Sequence, residues 1–135
     1  MAVLVLKDAS ITVNSVDLSD KSNSVTLNYE IDSVEVTAFG DAGHQFTGGL
    51  QNNSVDIEFY QDFAAASTEA TIFPLVGTTT TVIIKPTSGA VGADNPSYTI
   101  TGAFLAAHTP VAAAVGEMAM TSLSFTGGSL VKATS

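Results

Sequence analysis

The feature that most constrains this chain is a strict two-residue alternation. Val25, Leu27, Tyr29 and Ile31 are separated by Thr26, Asn28, Glu30 and Asp32. An extended strand turns that pattern into one apolar and one wet face, because its successive side chains point to opposite sides. Val55, Ile57 and Phe59 against Asp56, Glu58 and Tyr60 repeat it. Rolled into a helix, either stretch would scatter its apolar residues around the axis. Two such strands need a second layer over their apolar faces. The composition can supply one: 45% of the chain is hydrophobic, and Val, Ile and Thr account for 38 residues. Those β-branched types pack well on a pleated surface and lose rotamer freedom in helices.

The rest of the chain agrees. Ile11 and Val13, then Val16 and Leu18 beyond a turn, predict a short first strand and its exit. Residues 79–85, 97–107 and 118–126 read as further strands, the last closing the fold with Leu123 and Phe125 inward. Asn52-Asn53, Gly89, Asp94-Asn95-Pro96 and Gly127-Gly128 supply turns. After Asp32-Ser33 the apolar phase flips to Val34 and Val36. Asp-Ser lacks the glycine of favoured two-residue hairpins, so a bulge within a long strand is expected there in preference to a tight turn. Residues 39–53 hold Gly40, Gly43, Gly48 and Gly49 without a period and read as one long loop. A single helix is predicted over 63–73, with Asp62 as N-cap, Pro74 as stop, and a stripe of Phe63, Ala66, Ala70 and Phe73. The expected fold is all-β: a β-sandwich or partly open barrel of about seven or eight mainly antiparallel strands with one short helix. The 135 residues suit a single domain, and no period of repeat proteins is present.

Charge and composition remove many functions. Four Lys, no Arg and a net charge of −9 make a phosphate-gripping nucleic-acid binder improbable. Without cysteine there is no disulfide scaffold, thiolate zinc site or Cys nucleophile, and the chain is indifferent to redox conditions. No segment approaches the ~18 apolar residues of a membrane span. Residues 1–6 are stopped by Lys7 and Asp8 and have no basic region ahead of them, so an unprocessed soluble chain with no membrane partner is expected.

Candidate chemistry is thin. Asp41 and His44 could offer two metal ligands where a site needs three, and an exposed loop histidine is the plainer reading. Fourteen Ser and eight Asp make accidental Ser-His-Asp combinations easy, and no Gly-x-Ser-x-Gly elbow occurs. Glu30, Glu35, Asp56 and Glu58 lie on strands, as paired glycosidase acids can. Sugar platforms are scarce: there is no Trp, and of the three Tyr only Tyr60 is predicted outward. Phosphate loops and dinucleotide fingerprints are absent, and Met118 and Met120 read as strand filling. The expectation is no catalysis, metal or cofactor, which leaves binding or assembly. Thr-rich strands, a long loop and few charges suit a surface buried against copies of itself. A carbohydrate-binding adhesin sandwich using the 39–53 loop stays open as an alternative, as does a small hydrolase with a clustered acid pair.

The order of segments resembles the tail tube (major tail) proteins of long-tailed bacteriophages. ASITVNSVDLSD (9–20) is similar to that family's opening strand and turn, and SVTLNYEIDSVEVTAFGD (24–41) to its long strand and Thr-x-x-Gly-Asp corner. GGL (48–50) followed by SVDIEFYQDF (54–63) resembles its Gly-Leu loop and the acidic strand before the helix. IFPLVG (72–77) resembles the helix exit and TSLSFTGG (121–128) the closing strand. These motifs are structural, and tail-terminator, capsid-decoration and sheathed-tail tube proteins share the fold type.

The resemblance implies a virion protein with no catalysis, made in the bacterial cytoplasm. Its copies would form hexameric rings stacked into a tube that conducts DNA. Its partners would be itself, the tape-measure protein and terminator or initiator proteins, with DNA passing transiently. It also implies that one sheet lines the channel; if that is the sheet holding 25–31 and 54–60, Glu30, Asp56 and Glu58 point into the lumen. The competing reading leaves those carboxylates in bulk solvent. The 39–53 loop would carry contacts between subunits, with Phe39, Gly40, Asp41, His44, Phe46, Gly48, Gly49 and Leu50 as candidates.

Overall fold

The protein is described here by a computed structural model covering residues 9–65 and 67–134. The apolar segment 1–6 and Ala66 of the predicted helical stripe lie outside the described residues. No described helix is long and apolar enough to cross a membrane.

Strands β1 (Ser10–Val13) and β2 (Val16–Asp17) form a hairpin. Asn14 and Ser15 both have positive φ, 51° and 67°, as a type I′ turn requires. β3 (Ser22–Asn28) and β4 (Ile31–Glu35) follow, then β5 (Phe46–Gln51) and β6 (Ser54–Tyr60). After a short helix come β7 (Thr79–Lys85), β8 (Ser97–Leu105), β9 (Met120–Thr126) and β10 (Ser129–Ala133). The main sheet runs β2-β1-β7-β8-β9-β6-β3, all neighbours antiparallel, with β10 also paired to β8. β2 and β3 end the order unpaired with each other, so the expected sandwich is open and no barrel closes.

β8 joins the two halves. Its first residues pair with β10, whereas Phe104 and Leu105 pair with β9. Between them Gly102 has a φ of 84°, and the register with β7 shifts between Thr80 and Thr81. A glycine in that left-handed conformation beside a bulge lets the strand turn from one half to the other. Between the halves lies one core: Ile11 and Val13 of β1, Val82 and Ile84 of β7, Ile100, Ala103 and Leu105 of β8, Val55, Ile57 and Phe59 of β6, and Leu123 and Phe125 of β9. In β1, β6, β7 and β9 these are alternate residues, as the period of two demands, whereas in β8 Ile100 and Ala103 are three apart across Gly102.

Several expectations need correction. The 39–53 loop is shorter than predicted, because β5 takes up 46–51 and leaves only 36–45 as the connection. Gly48 and Gly49 masked that strand, and packing explains them. A Cβ at Gly48 would lie 3.3 Å from Ile31, and one at Gly49 would lie 3.1 Å from Val34. A register shift does fall between Ile31 and Ser33 in β4, but the expected single long strand is broken at residues 29–30 into β3 and β4, which belong to different sheets. The helix is only Thr68–Ile72, followed by a 3-10 turn, Phe73–Leu75. Its buried residues are Thr68, Thr71, Ile72 and Leu75, while Phe63, Ala70 and Phe73 are exposed. Asp62 does not cap it. Its carboxylate accepts from Ala64 N and holds a turn before the helix, where Ser67 is the N-cap. Tyr29 and Ile31, predicted inward, are 55% and 49% exposed; both lie past Asn28, the last residue of β3 paired to β6. Tyr60 is therefore not alone among the tyrosines in facing out. β9 does not close the fold, since β10 follows the Gly127-Gly128 turn. A Cβ at Gly128 would meet the Thr101 carbonyl at 2.6 Å, so only glycine lets that turn lie against β8.

Candidate assembly interface

The outer face of β6 presents Asp56 and Glu58 two residues apart, both exposed. Thr26 of β3 and Ser124 of β9 stand opposite Asp56; Ser24 and Ser122 stand opposite Glu58. These six line one shallow open depression of hydroxyls around two carboxylates, with no lysine among its lining residues. Glu30 is elsewhere. It sits in the two-residue break between β3 and β4, where its carbonyl accepts from Asn52 N at 2.7 Å. The structure thus brings Asp56 and Glu58 together and leaves Glu30 at the root of the next feature.

That feature is an arm. β4 and β5 pair only with each other, and every residue from 28 to 52 is exposed. Two strands without a covering layer are marginal by themselves, yet this pair carries Ile31, Val34, Val36, Phe39, Phe46 and Leu50 in the open. All eight candidates for contacts between subunits lie on it: Phe39, Gly40, Asp41 and His44 in the tip, Phe46, Gly48, Gly49 and Leu50 in β5. The tip is pinned by its own side chains. The His44 ring meets the Glu35 carboxylate through Nδ1, and Thr37 donates to the same oxygen at 2.9 Å while accepting from Gln45 N. His44 first and Thr37 second hold the Glu35 carboxyl below its ordinary pKa. Asp41 turns the other way and accepts from Ala38 N at 2.8 Å. Asp41 and His44 therefore do not converge, and among the described residues no group of three His, Asp or Glu could hold a metal ion.

The arm's root is fixed to the body by amides. The Asn53 side chain, buried, donates to Gln51 Oε1 and to the Gly128 carbonyl, and Gln51 Oε1 also accepts from Leu130 N.

Sequence reading missed the other long connection, 106–119 between β8 and β9, where Val111, Val115 and Met118 are exposed. It also missed the buried polar cluster beneath, in which His108 lies between Glu69 and Thr121. An Ala-Val run with one charge, Glu117, was the available signal. Nothing in local spacing joins residues 69, 108 and 121.

No protein family and no curated protein matches the sequence. Solved structures match in fold. A chain from the sheath–tube complex of an extracellular contractile injection system (PVC, extended state) aligns with a TM-score of 0.71 at 12% identity, covering 99% of this chain and 93% of that one. A chain from the sheath/tube terminator of the same kind of system gives 0.70 at 13%, covering 98% and 97%. A chain of the native gene transfer agent virion gives 0.62 at 14%, covering 96% and 98%. At these identities the likeness is one of fold. What the likeness defines is the fold, an open antiparallel β architecture shared with those chains.

Proposed function

We propose that this chain is a structural tube protein of a phage tail or tail-like particle. Its copies join as rings, hexameric as the resemblance implies, and the rings stack into a hollow cylinder that conducts DNA. It works in the virion tail without catalysis. Its partners are further copies, a tape-measure protein, and terminator and initiator proteins. The observation that carries this reading is the arm: an apolar hairpin left exposed by the described residues, on a fold matching an injection-particle chain along 99% of its length. A large exposed apolar surface on a chain this acidic points to an obligatory contact.

The β3–β6–β9 outer face would then line the channel. Asp56 and Glu58 repel phosphates over a Debye length of roughly 8–10 Å, and a lining without lysine offers DNA no counterion-releasing grip. A second reading has a specific support: the terminator chain matches almost as well as the sheath–tube chain. A terminator would close a tube as one ring.

Negative-stain microscopy of concentrated protein, alone and with a tail-initiator complex, tests both. Cylinders support the tube, and single rings that never stack support the terminator. Dispersed monomers under both conditions overturn the proposal.

A further inference from the structure

Residues 106–119 cross from β8 to β9 without a helix or strand. Connections of this length in compact folds usually carry a function. Nearly all of this strap is exposed, and its one backbone bond within itself is a turn from Glu117 N to the Ala114 carbonyl. Its His108 side chain is the opposite, only 2% exposed. Both ring nitrogens are in use: Nε2 lies 2.8 Å from Glu69 Oε2 on the helix, and Nδ1 lies 3.2 Å from Thr121 Oγ1 on β9. Thr121 Oγ1 reaches Thr109 Oγ1 at 3.2 Å. On the far side Gln61 Nε2 donates to the same Glu69 oxygen at 3.1 Å and to the Pro110 carbonyl at 2.7 Å.

The chain of groups runs Thr109–Thr121–His108–Glu69–Gln61–Pro110, so it leaves the strap and returns to it. Hydroxyls both donate and accept, and this gives the chain two complete states. With a neutral ring, Thr109 donates to Thr121, Thr121 donates to Nδ1, and Nε2–H donates to Glu69. With a protonated ring, Nδ1–H donates to Thr121 and Thr121 donates to Thr109, while the Nε2–H bond becomes an ion pair. No buried group loses its partner in either state.

We propose that this network is a proton-tolerant latch. It holds the strap on the body with the ring neutral or protonated, so long as the Glu69 carboxylate and the Thr121 hydroxyl are both in place. The charged groups on the surrounding elements are Glu69, Asp62 beside Gln61 with its partner Lys21, and Glu117 on the strap. Of these, Glu69 bonds the ring. A bare histidine–carboxylate contact would leave Nδ1–H without an acceptor as the ring gains a proton. Thr121 is what removes that asymmetry.

The chain has no cysteine, so Ala113→Cys gives one attachment point for a nitroxide label on the exposed strap. Spectra of the full-length protein from about pH 8 to about pH 5, the range in which imidazoles generally change charge, report strap mobility. The wild-type background should stay immobile throughout. Glu69→Gln keeps the acceptor and removes the charge, so the strap should be held at the upper pH and loosened at the lower. Thr121→Val should also loosen it at the lower pH, because charged Nδ1–H then has no acceptor. Each loosening should raise the mobile-to-immobile ratio about tenfold or more, the scale of a buried group left unpaired. Circular dichroism confirms that each variant folds, and a label at Ala42→Cys on the arm tip should be unaffected by the Glu69 and Thr121 changes. A wild-type strap that loosens at the lower pH overturns the proposal. So does a strap whose mobility is the same in the wild-type and both variant backgrounds.

Discussion

β5 and β6 follow each other in the chain and differ in length by one residue, yet they live in different environments. Every residue of β5 is exposed, whereas β6 buries Val55, Ile57 and Phe59 to 1% exposure or less. Both strands are hydrogen bonded, β5 to β4 and β6 to β3 and β9. Pairing therefore makes a strand, but only a second layer makes a core. β6 has that layer in β1, β7 and β8, and among the described residues no element lies across from β5. The buried apolar residues of the body are accounted for by their neighbours; Phe46 and Leu50 on the arm are not.

The sharpest test sets Phe59→Ala beside Phe46→Ala. Truncating the buried ring should cost about 3–5 kcal/mol, and truncating the exposed one should stay within about 0.5 kcal/mol. Urea denaturation of the unassembled protein measures both, and equal losses would dissolve the contrast between body and arm. A second test removes the arm's tip. Replacing residues 37–44 by Asn-Gly, a favoured two-residue hairpin turn, should leave the far-ultraviolet spectrum and the cooperative unfolding intact, because exposed tips tolerate such changes. Stacking into cylinders should be abolished. Normal tubes from this variant would show that the arm is a passive connector.

The third test moves to the body's outer face. Asp56→Lys with Glu58→Lys shifts the charge of each subunit by four units, two per swap, without touching the core. Assembly and tail length should be normal, because the two side chains face only hydroxyls across the strands. DNA ejection should be slowed, and more so at low salt, since added lysines offer phosphates counterion-releasing contacts over a longer screening length. Normal ejection at low salt would place this face outside the channel.

How much of this was legible in sequence follows from the same contrast. β6, β7 and β9 could be read because burial on one face writes a period of two. β5 could not: with no core to face, nothing selects alternation, and Gly48 and Gly49 serve backbone packing against Ile31 and Val34 instead. The register shift between Ile31 and Ser33 was legible because the apolar phase breaks there. The helix was over-read, since the Ala-rich segment 64–66 favours helix only as a weak local preference, and Asp62 spends its carboxylate on Ala64 N and Lys21. The arm's candidate residues were found because irregular composition marked the segment. Asp56 and Glu58 were found because residues two apart in a strand share a face. The His108 cluster was invisible, because it depends on tertiary meetings over 39 and 13 positions.

The smallest expected effect separates body from arm by acid. On the arm, His44 and Thr37 hold the Glu35 carboxyl below its ordinary value of 4.5. On the body, the hydrogen bond from Lys21, 2.9 Å away, and that from Ala64 N do the same to Asp62, whose ordinary value is 3.8. A depressed carboxyl contributes stability that is fully present above its unfolded value and is lost as pH falls through the folded one. Both contributions should therefore be intact near neutrality and fade below about pH 4. Both pairs are solvent-exposed, so each effect is small and salt-sensitive. They should be separable in place. Acid should shift the amide resonances of Thr37 and Gln45 at the tip while the body stays folded, because the tip can loosen locally. His44→Gln should bring the midpoint of the tip change closer to the ordinary carboxylate value. Lys21→Met should lower the melting temperature slightly at pH 7 and make less difference at about pH 3. If His44→Gln lowers the melting temperature at pH 7 as Lys21→Met does, the arm is cooperative with the body, and the apolar residues it exposes must find cover within the same chain.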